Sequence, residues 1–161
     1  MRASNPITHA LACAFLVTLT SCAIHVDLPN KFLITNESSS ELKATTADNA
    51  IFWVQKYELP ENGKNLDFWV DALKNQFVEN LGYVLLEEEP IETTDGEKGT
   101  QMMFETTIQG QTYRYLLSAF VQDGTWPWNN PIIRVARFTA EKDKFDKHVD
   151  AVKKAMRTTR G

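Results

Sequence analysis

Residues 100–120 constrain the fold more than any other stretch. Met102, Phe104, Thr106 and Ile108 alternate along one run and Tyr113, Tyr115, Leu117 and Ala119 along the next, with Gln109-Gly110 separating Ile108 from Gln111. Successive side chains of a strand point to opposite faces, so two period-two runs joined by a short glycine-bearing link predict a tight antiparallel hairpin. Leu116 and Phe120 add apolar groups on the face opposite Tyr115 and Leu117. A sheet that is apolar on both faces needs cover on both.

Two amphipathic stretches can supply that cover. From Asn65 the spacing changes to threes and fours through Leu66, Trp69, Val70, Leu73, Phe77 and Leu81, and Gly82 stands where a helix ends. A second stripe, Phe145, Val149, Val152 and Met156, predicts a closing helix. Strands are expected at Phe32–Thr35, at Ala50–Leu59 up to Pro60, at Tyr83–Glu88 and at Ile132–Phe138. Asn36–Ser40 has the composition of a loop, and Asp95-Gly96 with Lys98-Gly99 supplies a turn before the hairpin. Trp53 and Trp69 fall on strand and helix patterns and are expected in the core. The predicted class is α+β: an antiparallel sheet flanked by helices, as one domain over residues 31–161.

This layout carries a resemblance. Val26-Asp27-Leu28-Pro29 ahead of Phe32, Gly82-Tyr83 after the first helix, the Tyr113–Phe120 strand, and Phe138 leading into a helix anchored by Phe145 together resemble the PsbP-like fold, including bacterial lipoproteins of the DcrB type. The resemblance implies an α/β/α sandwich. It also implies a family of assembly subunits and protein-binding adaptors, with no catalytic residues to assign. An NTF2-like fold, with a cavity between sheet and helix, is the alternative.

The N-terminus points the same way. The apolar run Ala10–Leu19 is shorter than the roughly 20 residues a membrane span needs, follows the basic Arg2, and ends at Thr20-Ser21-Cys22. Leu19-Thr20-Ser21-Cys22 resembles the bacterial lipobox, which implies that residues 1–21 are a signal peptide and that Cys22 is diacylated at the new N-terminus. Ala23 stands where aspartate would be the retention signal of enteric lipoproteins, so the resemblance favours the outer membrane, facing the periplasm. Residues 22–30 are expected to be a lipid-anchored tether. The other cysteine, Cys13, lies in the leader, so the mature chain is expected to fold without a disulfide.

Charge narrows the partners. The chain carries 17 basic and 21 acidic residues, a net −4, and loses a further positive charge with Arg2. That sign argues against nucleic acid and against electrostatic adhesion to anionic lipid. Serine elbows, HExxH pairs and glycine-rich phosphate loops do not occur, and no cofactor or metal site is expected. His25 falls in the tether and His148 on the closing helix, a boundary position. Asp143, Asp146 and Asp150 lie on one helix with Lys147 and Lys154 four residues after the first and last, which predicts a solvated, ion-paired face. Glu87–Glu89 are expected at a wet strand end, where three adjacent carboxylates could also meet a basic partner. Trp126 and Trp128, in the proline-stiffened segment Gly124–Pro131, are the candidate partner-binding residues, with folding back onto the sandwich as the competing assignment. The expectation is thus a non-catalytic, lipid-anchored module that binds an envelope protein; the alternative is a small-molecule or lipid-binding lipoprotein.

Overall fold

The computed structural model describes residues 23–124 and 130–161. Cys22, Trp126 and Trp128, together with the leader, lie outside the described residues. Seven strands form one antiparallel sheet: β1 (Leu33–Glu37), β2 (Glu41–Thr45), β3 (Ile51–Glu58), β4 (Val84–Glu92), β5 (Lys98–Ile108), β6 (Gln111–Gln122) and β7 (Ile132–Glu141). Their order across the sheet is β1-β2-β3-β7-β6-β5-β4, so the long β5–β6 hairpin lies towards one edge. Its turn is made by Gln109 and Gly110, with φ of 52° and 81°. Two successive left-handed residues match the right-handed twist of the paired strands, which keeps Ile108 opposite Gln111.

The helices are α1 (Leu66–Asn75) and α2 (Lys142–Met156). Asn65 caps α1 by accepting a hydrogen bond from the Phe68 amide at 3.3 Å. The chain continues as a π-helical turn, Gln76–Asn80, before Gly82 reverses it at φ 70°. The two helices lie on opposite faces, giving three layers. Under α2, Phe145 stacks on Phe138 at 4.8 Å, and Phe32 packs edge-on against Phe52 and Phe138. Under α1, Phe77 from the π turn stacks on Phe104 at 4.8 Å, with Tyr83 and Tyr115 around it. Rings therefore occupy both helix–sheet layers at these points, where the NTF2-like alternative would have opened a cavity.

Three expectations need correction. First, Asn36–Ser40 is not one loop: β1 runs to Glu37, the chain bends at Ser39 and Ser40, and β2 starts at Glu41. The inward face of β2 is only Leu42 and Ala44, too short an alternation to stand out. Second, the segment expected as a free tether is docked. Ile24 and Val26 are 3% and 8% exposed within the α2-side core, Leu28 packs against it, and His25 exchanges backbone hydrogen bonds with Arg160 at 2.9 and 3.0 Å. Period-two Ile24, Val26 and Leu28 is the pattern of an edge segment packed on a core. Third, Trp53 is half-buried on the face opposite Phe52 and Val54 and belongs to neither apolar cluster, whereas Trp69 packs against the α1-side cluster as expected and donates from Nε1 to the Gly63 carbonyl at 2.8 Å.

Candidate functional site

The two faces of the sheet are covered unequally. The α2 side is packed from β2 to β6 by α2 and by residues 24–32. On the α1 side the apolar cluster gathers Val70 and Phe77 over Met102, Phe104, Leu117, Ala119, Ile133 and Val135, which are residues of β5, β6 and β7. Helix α1 and its π turn stop there. Among the described residues no helix lies over the β1-β2-β3 half of this face, and Leu33 and Tyr57 stand 73% and 45% exposed.

Trp53 is the centre of that open half. Lys43 of β2 and Arg137 of β7 are its direct cross-strand partners, and residues opposite one another in neighbouring strands share a face. The Lys43 ammonium lies 5.8 Å and the Arg137 guanidinium carbon 5.4 Å from the ring centroid, so a cation approaches the indole from each side. Among the described residues, Trp53 Nε1 and Arg137 Nε are buried donors without an acceptor. Neither Lys43 nor Arg137 forms a salt bridge with a described carboxylate. Glu41, two positions along β2, accepts from the Asn36 amide at 2.8 Å.

The acidic candidates behave differently. Glu87, Glu88 and Glu89 lie within edge strand β4 and reach both helices: Glu88 pairs with Lys74 of α1 at 2.8 Å, and Glu87 and Glu89 with Lys153 of α2 at 3.5 and 3.1 Å. Glu88 raises the Lys74 pKa, and at Lys153 burial works the other way but is outweighed by Glu89 and then Glu87. This triplet ties the helices to the sheet edge, which also carries Pro90 and a bulge beside Leu86. On α2, Asp146 is taken by Arg114 of β6 at 2.8 Å rather than by a helical neighbour.

His148 joins α2 to the β2–β3 turn. Its Nε2 lies 3.1 Å from an Asp48 carboxylate oxygen, its ring packs edge-on to Phe32, and its side chain is mostly buried. Thr46 donates to Asp48 from the other side. The Thr46 hydroxyl first, and His148 second, hold Asp48 down at about 2. The carboxylate stands between the hydroxyl and the imidazole, so it separates the groups that a nucleophile and its base would have to join. An open cleft of about 500 Å³ beside it is lined by Lys31, Thr46, Ala47, Asp48, Lys147 and His148. His25 is exposed and pairs with Asp27 at 3.2 Å.

The tryptophan segment can be placed only by its described roots. Pro131 accepts from the Leu59 amide at 2.7 Å, Asn130 donates to Glu58 at 3.3 Å, and Lys64 pairs with Asp123 at 3.7 Å. The buried Arg134 donates to Gln122 at 2.8 Å and to the Gly161 carbonyl at 3.0 Å, and also pairs with Glu97. Gly161 abuts Ala23. The roots of residues 125–129 and the point where Cys22 joins the described chain therefore lie at one end of the molecule. Among the described residues no helix is long and apolar enough to cross a membrane, and no group of three or more histidine, cysteine or acidic side chains is placed to hold a metal ion.

The open β1-β2-β3 face was not legible in the sequence. Its signal, a lysine, a tryptophan and an arginine on three strands, appears only once the register sets them side by side.

No family model and no curated protein matches the chain. Solved structures do. LpqN of Mycobacterium tuberculosis, described as involved in cell envelope biogenesis, is similar at 17% identity over 86% of this chain and 83% of its own, with a TM-score of 0.58. PA94 of Pseudomonas aeruginosa, a protein of unknown function, matches at 17% identity over 82% and 85%, TM-score 0.53. The Ran-binding protein Mog1p of Saccharomyces cerevisiae matches at 10% identity over 88% and 92%, TM-score 0.56. At these identities the likeness is one of fold, and the chain is an α+β protein built like these three.

Proposed function

We propose that the chain is a lipid-anchored envelope protein whose PsbP-like domain serves as a non-catalytic binding or assembly module for another envelope component, a protein. The observation that carries this reading is the β1-β2-β3 half of one sheet face, a broad surface with the half-buried Trp53 at its centre and no helix over it among the described residues. Anchoring is supported by Leu19-Thr20-Ser21-Cys22 after a short apolar run, and the envelope by the likeness to LpqN, itself described as involved in cell envelope biogenesis. Two acyl chains would hold the protein on a bilayer, since each buried CH₂ contributes about 0.8 kcal/mol and one chain alone gives only reversible binding. With Ala23 after the cysteine, the periplasmic side of the outer membrane is the proposed residence. Trp126 and Trp128, rooted at the end where Cys22 joins, would add rigid aromatic area close to that membrane.

Two measurements test this. Cys22→Ser should abolish incorporation of labelled fatty acid and leave an unprocessed precursor; a lipid-free wild-type protein would remove the anchor. In intact cells, photocrosslinkers placed around the domain should capture a defined envelope protein from one face. Uniform or absent capture would remove the binding role. Replacing Trp126 and Trp128 together by serine separates their assignments. A contact role loses the captured partner with stability changed by no more than about 0.5 kcal/mol, and a capping role lowers stability by about 3 kcal/mol or more.

A further inference from the structure

Resting on the binding role just described, we propose that the partner is recognised through an acidic, extended segment laid on the Lys43–Trp53–Arg137 row. The sheet sets the two cations on either side of one indole by direct cross-strand pairing, so their positions belong to the β2-β3-β7 register. Both lack a described carboxylate partner, as do Lys31, Lys98, Lys147, Lys154, Arg157 and Arg160; what sets Lys43 and Arg137 apart is that they flank one indole. Trp53 Nε1 and Arg137 Nε are enclosed within the row and do not face a partner, so recognition falls to the two cationic side chains themselves. Two cations set against one aromatic ring, with no described carboxylate between them, describe a receptor for carboxylates.

Spacing favours a peptide. Neighbouring strands lie about 4.8 Å apart, which puts Lys43 and Arg137, one strand to each side of Trp53, roughly 10 Å apart at the backbone. An extended chain rises about 3.3 Å per residue and its alternate side chains share a face, so carboxylates two or four residues apart, about 7 or 13 Å, bracket that distance within the reach of the two long side chains. Relief decides against a bilayer. The row lies on a shelf beside α1 and its π turn, and a helix with its side chains stands about 10 Å high, so a flat membrane is held off where a single chain can lie down.

The test uses the full-length protein in detergent with a fluorescent hexaglutamate peptide, read by anisotropy, and hexalysine as its counterpart. Hexaglutamate should bind, hexalysine should not, and added salt should weaken the complex. Lys43→Glu and Arg137→Gln should each weaken binding by at least about tenfold, with far-UV spectra and melting curves showing that each variant is folded. Lys98→Glu, at the start of β5 near the other sheet edge, should leave binding unchanged. Absence of hexaglutamate binding, or equal binding by Lys43→Glu, overturns the proposal. So does binding to phosphatidylglycerol vesicles through these residues without binding to the peptide. The in-cell outcome keeps the two readings apart. A photocrosslinker at Gln55 should capture an acidic segment. If a partner is captured from another face and not from Gln55, the acidic-segment proposal falls and the binding role stands. If hexaglutamate binding follows the row in solution while no position captures a partner in cells, the binding role in the envelope falls instead.

Discussion

Asp48 shows how one residue can join distant parts of the chain. Its carboxylate accepts from Thr46 two residues away and meets His148 from α2, a hundred residues on. The carboxylate is held at about 2 against an ordinary 3.8, with Thr46 the larger cause and His148 the next. A depressed folded-state pKa contributes stability that is present above the unfolded value and lost as pH falls through the folded one. The window is therefore from about pH 4 down to about pH 2. Asp48 is about a third exposed, so solvent reduces the size of the effect without changing its sign. Asp48→Asn should flatten the acid limb of the stability curve in that window; chemical denaturation at stepped pH would show it, and an unchanged limb would contradict it. Arg134 makes a similar join in a drier place. Burial lowers its pKa, and Glu97, Gln122 and the Gly161 carbonyl surround its terminal nitrogens.

Helices α1 and α2 depend on single rings more than on their length. Phe145 is fully buried beneath α2, and Phe77 is 8% exposed where the π turn meets β5. Truncating either to alanine should cost about 3 to 5 kcal/mol, with Phe145→Ala at the upper end because no solvent can relax its cavity. Urea titrations would measure both, and losses below about 1 kcal/mol would contradict the packing. The helices, the hairpin and most strands were legible because each carries a long, periodic apolar pattern. Gln109-Gly110 gave the hairpin turn, and Gly82 marked the end of the first helical stretch. The split of that stretch into α1 and a π turn was not legible, since both keep the apolar side on the sheet. Strand β2 was missed because its inward side chains are only Leu42 and Ala44, and Trp53 was misplaced because aromatic character alone does not choose a face. The His148–Asp48 link depends on three-dimensional closure, to which no local pattern points.

At the scale of the whole molecule, the docked N-terminal segment changes what the fold needs. Ile24 and Val26 complete the α2-side core, and His25 pairs with Arg160 beyond the last helix. Replacing Ile24 and Val26 together by serine should destabilise the domain by about 2 kcal/mol or more, as loss of two buried aliphatic side chains would, where a free tether predicts no change. Calorimetry decides between them. The same docking sets the reach of an anchored molecule. Cys22 is covalently joined to Ala23, and neighbouring α-carbons are about 3.8 Å apart, so an acyl group there would sit almost directly on a rigid body with next to no leash. Such a protein would skim its bilayer rather than fish from it. It could meet only partners within about its own diameter of the lipid surface, and for those the search would be two-dimensional, with proximity supplying much of the affinity that a small contact lacks.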